Sequence, residues 1–220
     1  MNDSQVHDEN KQRETLCTMA KSLFDRGLTR GASGNISMRT HDGGLLVTPT
    51  GSSMGLLDPA QLSRFDQNGQ HVAGLAPTKE MPLHQAFYDT RSQAGAVVHL
   101  HSRCSVALSL LPDNDEDSFL PPLTPYAIMQ LGKVKLLPYF IPGDPALGDA
   151  IRGLAGKRSA VMLAHHGPVV TGKSLEAAVY AIEELEETAQ LALMLKGASA
   201  KQLTPTQISQ LVREFKVEWD

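Results

Sequence analysis

Residues Ala96 to Ser102 read AVVHLHS and place two histidines two positions apart behind a short aliphatic run. Side chains alternate between the faces of an extended strand, so His99 and His101 share one face while the aliphatic residues around them share the other. Neutral imidazole nitrogens bind borderline divalent metals such as zinc. The stretch therefore predicts a strand that presents two metal ligands to one point, although a half-exposed strand surface would have the same pattern.

The composition is that of a globular domain, for which we expect a small-molecule partner. The chain has 220 residues, of which 41% are hydrophobic and 20% are charged, and its net charge of −4 gives no electrostatic footprint for nucleic acid. Cys17 and Cys104 are too few and too isolated for a disulfide framework or a cysteine-based zinc site. With no signal-like N-terminus and no long apolar run, we expect a cytoplasmic protein without a membrane anchor.

Helical and strand patterns alternate along the chain, which is expected to form a single domain over residues 1–220 with residues 1–9 disordered. Two hairpins are expected, in NISMRTHDGGLLVTP around Asp-Gly-Gly and in SRFDQNGQHVAG around Asn-Gly. These hairpins favour an α/β fold with a mixed or antiparallel sheet. Further strands are expected in AVVHLHS, VKLLPY and AVMLAHHG, and helices at Asn10–Arg26, Met81–Thr90, after His101, near Tyr126, at Pro145–Leu154, at Ser174–Leu195 and in TPTQISQLVREF.

Two other segments offer ligands for the same metal. In LAHHGPVV, the adjacent His165 and His166 face opposite ways on a strand, so at most one of them should reach a shared ion, and the spacing does not choose between them. In APTKEMPLH, Glu80 stands at the start of a helix and could be the carboxylate ligand. An acidic residue there is also simply favourable to the helix dipole.

The segments RGASGNISMR and LVTPTGSSMG combine glycines with serine, threonine and asparagine. Glycines let backbone N–H groups approach an anion closely, so the two segments together could form a phosphate pocket. Ordinary turns have the same composition, and neither segment has the Walker or dinucleotide-binding spacing.

The ordered motifs SGNIS, TPTG, PTKE, VVHLHS and HHG resemble those of the class II aldolase/adducin-head family, over about Leu16 to Leu195. The resemblance implies a three-layer α/β/α fold with a central mixed, largely antiparallel sheet, and a homotetramer with its sites between subunits. It also implies that Tyr126 reaches into the site of a neighbouring subunit. The implied metal ligands are Glu80, His99, His101 and His166, around Zn2+ or alternatively Mn2+ or Co2+. The implied phosphate pocket consists of Gly34, Asn35, Thr50, Gly51 and Thr78.

Within the family, the combination of PTKE, HLHS, TPY and YFIPGD looks most like the branch that decarboxylates 3-oxo-tetronate 4-phosphates. This similarity implies release of carbon dioxide and dihydroxyacetone phosphate through a metal-stabilised enediolate, with Glu80 as acid. Lys79 would bind the departing carboxylate or the phosphate. A sugar-phosphate aldolase of the fuculose or rhamnulose type is the alternative. A 4-epimerase, which usually has aspartate in place of Glu80, and a non-catalytic adducin-head-like binding protein are less favoured.

Overall fold

The computed structural model describes residues 3–219, with side chains described from residue 8 onward. Its helices are α1 (Asp3–Asp25), α2 (Met81–Thr90), α3 (Arg103–Ser109), α4 (Pro125–Leu131), α5 (Pro145–Gly153), α6 (Leu175–Met194) and α7 (Pro205–Phe215). Its strands are β1 (Asn35–Arg39), β2 (Leu45–Val47), β3 (Ser63–Phe65), β4 (His71–Ala73), β5 (Ala96–His99), β6 (Lys135–Leu137), β7 (Ala160–Leu163) and β8 (Gly167–Gly172).

The eight strands form one sheet in the order β4-β3-β2-β1-β5-β8-β7-β6. Every pair is antiparallel except β6 and β7, which are parallel. The predicted mixed, largely antiparallel sheet is therefore confirmed. Strand β5, which contains the first histidine of the pair, lies in the middle of the sheet between β1 and β8.

Helices cover both faces of the sheet and complete the three-layer α/β/α architecture. One core cluster joins the sheet to α1, α3, α4 and α6, and the other joins it to α2 and α5. Strand β5 shows the alternation directly, because Ala96 and Val98 lie in the first cluster and Val97 in the second. Both faces of β5 are thus buried, and the strand is a rigid base for the residues that follow it.

Helix α1 begins at Asp3, seven residues before the predicted start at Asn10. Glu9, which was expected to lie in a disordered segment, pairs with Arg13 at 2.7 Å and with Arg64 of β3 at 3.0 Å. The pair with Arg13 lies within α1, and the pair with Arg64 connects the helix to the sheet one residue before its predicted start. Residues 1 and 2 of the expected disordered segment lie outside the described residues.

Strand β8 was not among the predicted strands, which ended at Gly167 in AVMLAHHG. The chain turns at His165, whose φ of 62° is in the left-handed region. The reversal lets β8 pair with β7 and then with β5. Elsewhere the element predictions are confirmed, including α2 at its predicted bounds. No helix within residues 3–219 is long and apolar enough to cross a membrane.

Candidate metal centre

Four side chains from three segments of the chain converge at the end of β5. The cluster comprises Glu80, His99, His101 and His166, and one potential ligand atom from each lies within 4.8 Å of the others. The Nε2 atoms of His99 and His101 are 3.1 Å apart, and His166 Nε2 lies 3.1 Å from His101 Nε2 and 3.4 Å from His99 Nε2. Although β5 ends at His99, the ring of His101 reaches the same point as the ring of His99, and the sequence pattern predicted this convergence. His166 joins the cluster, whereas the exposed His165 makes the turn.

The histidine rings are held in the neutral form that binds metals. His99 is fully buried, and its Nδ1–H donates to the carbonyl of Pro168 at 2.9 Å, which leaves the Nε2 lone pair directed into the cluster. Burial, followed by the neighbouring His101 and His166, holds the pKa of His99 well below its usual range. Burial also lowers the pKa of His101 and of His166, although Glu80 opposes the shift in both.

The donor set fits a divalent cation. Three Nε2 atoms within 3.4 Å of one another are poorly satisfied by hydrogen bonds among neutral rings, since each ring has one N–H and that of His99 is already donated to a carbonyl. Among the side chains described, residues 8–219, Glu80 Oε1 is buried without a hydrogen-bond partner, and it lies 3.4 Å from His166 Nε2. Glu80 Oε2 is at the same distance from His99 Nε2. Three imidazoles and one carboxylate are ligands that zinc and related transition metals accept.

Glu80 stands at the N-terminal end of α2, yet its side chain does not cap the helix. Its carboxylate instead turns into the protein, where Oε2 accepts a 2.7 Å hydrogen bond from Asn35 Nδ2. Asn35 Oδ1 in turn accepts from His84 Nε2 at 2.5 Å. A favourable interaction with the helix dipole, the alternative role considered for Glu80, therefore does not explain why its side chain points into the cluster.

The sequence interpretation missed His84, although one signal pointed to it. His84 follows Glu80 by four residues, which brings the two onto the same side of the first helical turn. It is fully buried, and burial lowers its pKa to about 3, so this ring is also neutral.

Three residues of the expected phosphate pocket, Gly34, Asn35 and Thr78, lie next to Glu80 or His99. The segments around residues 49 and 77 pair through an isolated antiparallel bridge, which sets the exposed Thr50 beside Ala76 and the buried Thr78 beside Thr48. Thr78 Oγ1 accepts a 3.2 Å hydrogen bond from the backbone N–H of Glu80. Gly34 has a φ of 78°, and a β-carbon there would lie 2.8 Å from the carbonyl oxygen of His99.

The two remaining candidates lie at the surface. Lys79 is exposed beside Glu80, and the YFIPGD segment packs close to it, since a β-carbon at Gly143 would lie 3.7 Å from Lys79 Cβ. Tyr126 is 62% exposed at the start of α4 and is not among the four clustered residues.

A family model, curated relatives and a solved structure all relate this chain to the same family. The Class II Aldolase and Adducin N-terminal domain family matches residues 14–193. A 3-oxo-tetronate 4-phosphate decarboxylase of Escherichia coli (strain K12) is 43% identical over 203 residues, covering 92% of this chain and 96% of the relative. An L-fuculose phosphate aldolase of the same strain is 30% identical, covering 95% and 96%. The crystal structure of YgbL from Escherichia coli superposes with a TM-score of 0.90 at 42% identity, covering 92% of this chain and 98% of that one.

Proposed function

The chain belongs to the class II aldolase and adducin N-terminal domain family, and we propose that it is a metal-dependent carboxy-lyase acting on a 3-oxo-tetronate 4-phosphate. The observation that carries the proposal is the 43% identity, over nearly the full length, to a relative named for that reaction. The convergence of Glu80 with the three histidines supports it, because a binding protein that had lost the chemistry would not need to retain the cluster.

The reaction breaks the bond between the substrate carboxylate and carbon 2. The bonding electron pair moves onto carbon 2 and the neighbouring carbonyl oxygen, carbon dioxide leaves, and a proton added to carbon 2 gives dihydroxyacetone phosphate. A divalent cation held by Glu80, His99, His101 and His166 would supply Lewis-acid stabilisation of this negative charge, worth several kcal/mol. The ligand set favours Zn2+, with Mn2+ or Co2+ as alternatives.

Each nearby residue of the chain has a proposed role. Glu80, released as a ligand when the substrate binds and then protonated from solvent, delivers the proton to carbon 2. Its Oε1 lies at the cluster and its Oε2 is held by Asn35. Lys79, exposed beside it, binds an anionic end of the substrate, either the carboxylate or the phosphate. Thr78 together with the Gly34–Asn35 and Thr50–Gly51 segments forms the phosphate pocket, in which glycine permits close approach of backbone N–H groups.

The deciding experiment compares two substrates. Zinc-loaded protein is incubated with 3-oxo-tetronate 4-phosphate and separately with fuculose 1-phosphate, and carbon dioxide, aldehyde and dihydroxyacetone phosphate are measured. Both reactions form the last product, so only the other fragment discriminates between them. Carbon dioxide from the first substrate is expected. Aldehyde from the second alone would make the protein an aldolase, the function of the 30% identical relative.

We also propose a homotetramer in which Tyr126 completes the site of a neighbouring subunit, as its exposure on α4 permits. Mixed oligomers test this arrangement. Tyr126→Phe and His99→Ala variants, each impaired alone, should recover activity after unfolding and refolding together, because some sites then receive an intact tyrosine and an intact ligand set. No recovery in confirmed mixed oligomers, or a monomer in sedimentation, would contradict the proposal.

A further inference from the structure

A chain of buried polar side chains leads from the metal centre into the layer between the sheet and α2. From the outer end it consists of Tyr88, Ser37, His84 and Asn35, and it ends on the Glu80 carboxylate. The hydroxyls of Tyr88 and Ser37 are 2.9 Å apart, and Ser37 Oγ is 2.7 Å from His84 Nδ1. All five residues are buried, and none of the three outer side chains belongs to the ligand cluster.

The donors and acceptors leave one consistent direction for these hydrogen bonds. Asn35 donates its Nδ2–H to Glu80 Oε2, so its Oδ1 must accept, and His84 Nε2–H is the donor. The buried His84 is neutral, so its Nδ1 accepts from the Ser37 hydroxyl. The Ser37 oxygen then accepts from the Tyr88 hydroxyl. Each bond thus fixes the orientation of the next side chain.

The outer end of the chain is itself held in place. The guanidinium of Arg39 lies 4.7 Å from the centre of the Tyr88 ring, and Arg39 Nε donates to the carbonyl of Ala94 at 3.0 Å. Ser37 lies on β1, next to the strand that leads to His99. The carboxylate is therefore connected to the sheet through side chains and does not depend only on the end of its own helix.

We infer that Ser37, His84 and Tyr88 are positioning residues that act through Asn35 to fix the Glu80 carboxylate against the three histidines. The inference rests on the proposed role of Glu80 as ligand and proton donor. Partners behind a metal ligand hold its geometry, and their replacement typically weakens metal binding or activity by about 10- to 100-fold. Without the network, the carboxylate would be free to rotate away from the cluster.

The test replaces Ser37 by alanine and uses Ser63→Ala as the matched control. Both serines are fully buried on strands, and Ser63 donates to the carbonyl of Leu75 outside this network. Zinc affinity of the metal-free protein is measured by competition with a chelating indicator, and the visible spectrum of the cobalt-loaded protein reports the geometry of the site. Ser37→Ala should weaken zinc binding by about tenfold and alter the cobalt spectrum, whereas Ser63→Ala should change neither.

Kinetics separate positioning from general destabilisation. At saturating zinc, Ser37→Ala should lower kcat, because the network positions Glu80, the proposed proton donor. Equal losses of zinc affinity in both serine variants, or wild-type affinity and kcat in Ser37→Ala, would overturn the inference. If Ser37→Ala does not fold, Tyr88→Phe removes only the outermost hydroxyl, and wild-type zinc affinity and kcat there would overturn it equally. The zinc and cobalt measurements need no substrate, so they stand even if the wild type releases no carbon dioxide.

Discussion

Replacing Glu80 by glutamine should change the stability of the metal-free protein and its catalysis in opposite directions. The Glu80 side chain is buried, with Oε2 accepting from Asn35 and Oε1 left without a partner. Glutamine keeps an oxygen for Asn35 and places an amide N–H where it can donate to His166 Nε2, 3.4 Å from the present Oε1. An unsatisfied buried polar group costs about 1–3 kcal/mol, so metal-free Glu80→Gln should be more stable by about that amount.

Catalysis should fall because glutamine has no proton to deliver to carbon 2. General acid catalysis contributes about 10²- to 10⁴-fold in rate, equivalent to roughly 3–5 kcal/mol of barrier. Loss of the charged ligand should also weaken metal binding, so turnover must be measured at a zinc concentration that saturates the variant. The assay pairs urea unfolding of the metal-free protein with zinc content and the rate of carbon dioxide release.

Glu9→Gln is the matched control, since it makes the same chemical change at a partly buried carboxylate paired with Arg13 and Arg64. This control should lose a little stability and keep wild-type turnover and zinc content. Wild-type turnover by Glu80→Gln with zinc still bound would refute the assignment of the acid. A metal-free Glu80→Gln protein less stable than the wild type would refute the reasoning about the unpartnered oxygen.

Three other expectations follow from the same geometry. His99→Ala should lower zinc content and activity together, as measured by elemental analysis and carbon dioxide release, and retention of both would exclude His99 as a ligand. Gly34→Ala should displace His99 and weaken zinc binding as well as cost about 1–2 kcal/mol of stability, because its φ is 78° and its β-carbon would lie 2.8 Å from His99 O. Gly27→Ala has a similar φ of 77° but open space, so it should cost stability alone. Since the folded pKa of His84 is about 3, below its unfolded value of 6.5, the unfolded state binds the extra proton between these limits. The contribution of His84 to the free energy of unfolding of the metal-free protein should therefore fall by about 1.4 kcal/mol per pH unit as the pH drops from 6.5 towards 3. Urea unfolding of His84→Gln should lack this part of the slope, and an unchanged slope would contradict the buried neutral ring.

Local signals were sufficient for most of the elements. Ser174 precedes the long helix and accepts from the backbone of Ala177, as its position in the sequence predicts. The Asp-Gly-Gly and Asn-Gly turns join the expected strand pairs. The alternation in AVVHLHS indicated that His99 and His101 reach one point, which holds even though the regular strand ends at His99.

Features that depend on contacts between residues far apart in the sequence could not be predicted from local sequence patterns. The contact that joins α1 to the sheet is an ion pair between Glu9 and Arg64, which are 55 residues apart. The β7–β8 reversal depends on a left-handed His165, a conformation uncommon for residues other than glycine. The network behind Glu80 links residues 45 and 49 positions apart, and only the four-residue spacing of His84 from Glu80 was visible beforehand. Spacing alone also left open which of His165 and His166 faces the metal site. The β7–β8 turn decides this, because His165 occupies the turn and His166 joins the cluster.

The central claim is that the Glu80 and three-histidine cluster holds one metal ion on which decarboxylation depends. Its most direct test is to titrate metal-free protein with Zn2+ while measuring bound zinc per chain and the initial rate of carbon dioxide release from 3-oxo-tetronate 4-phosphate. Bound zinc and the rate should rise together and reach a plateau at one zinc ion per chain. Full carbon dioxide release from metal-free protein, or one bound zinc per chain with no carbon dioxide formed, would contradict it.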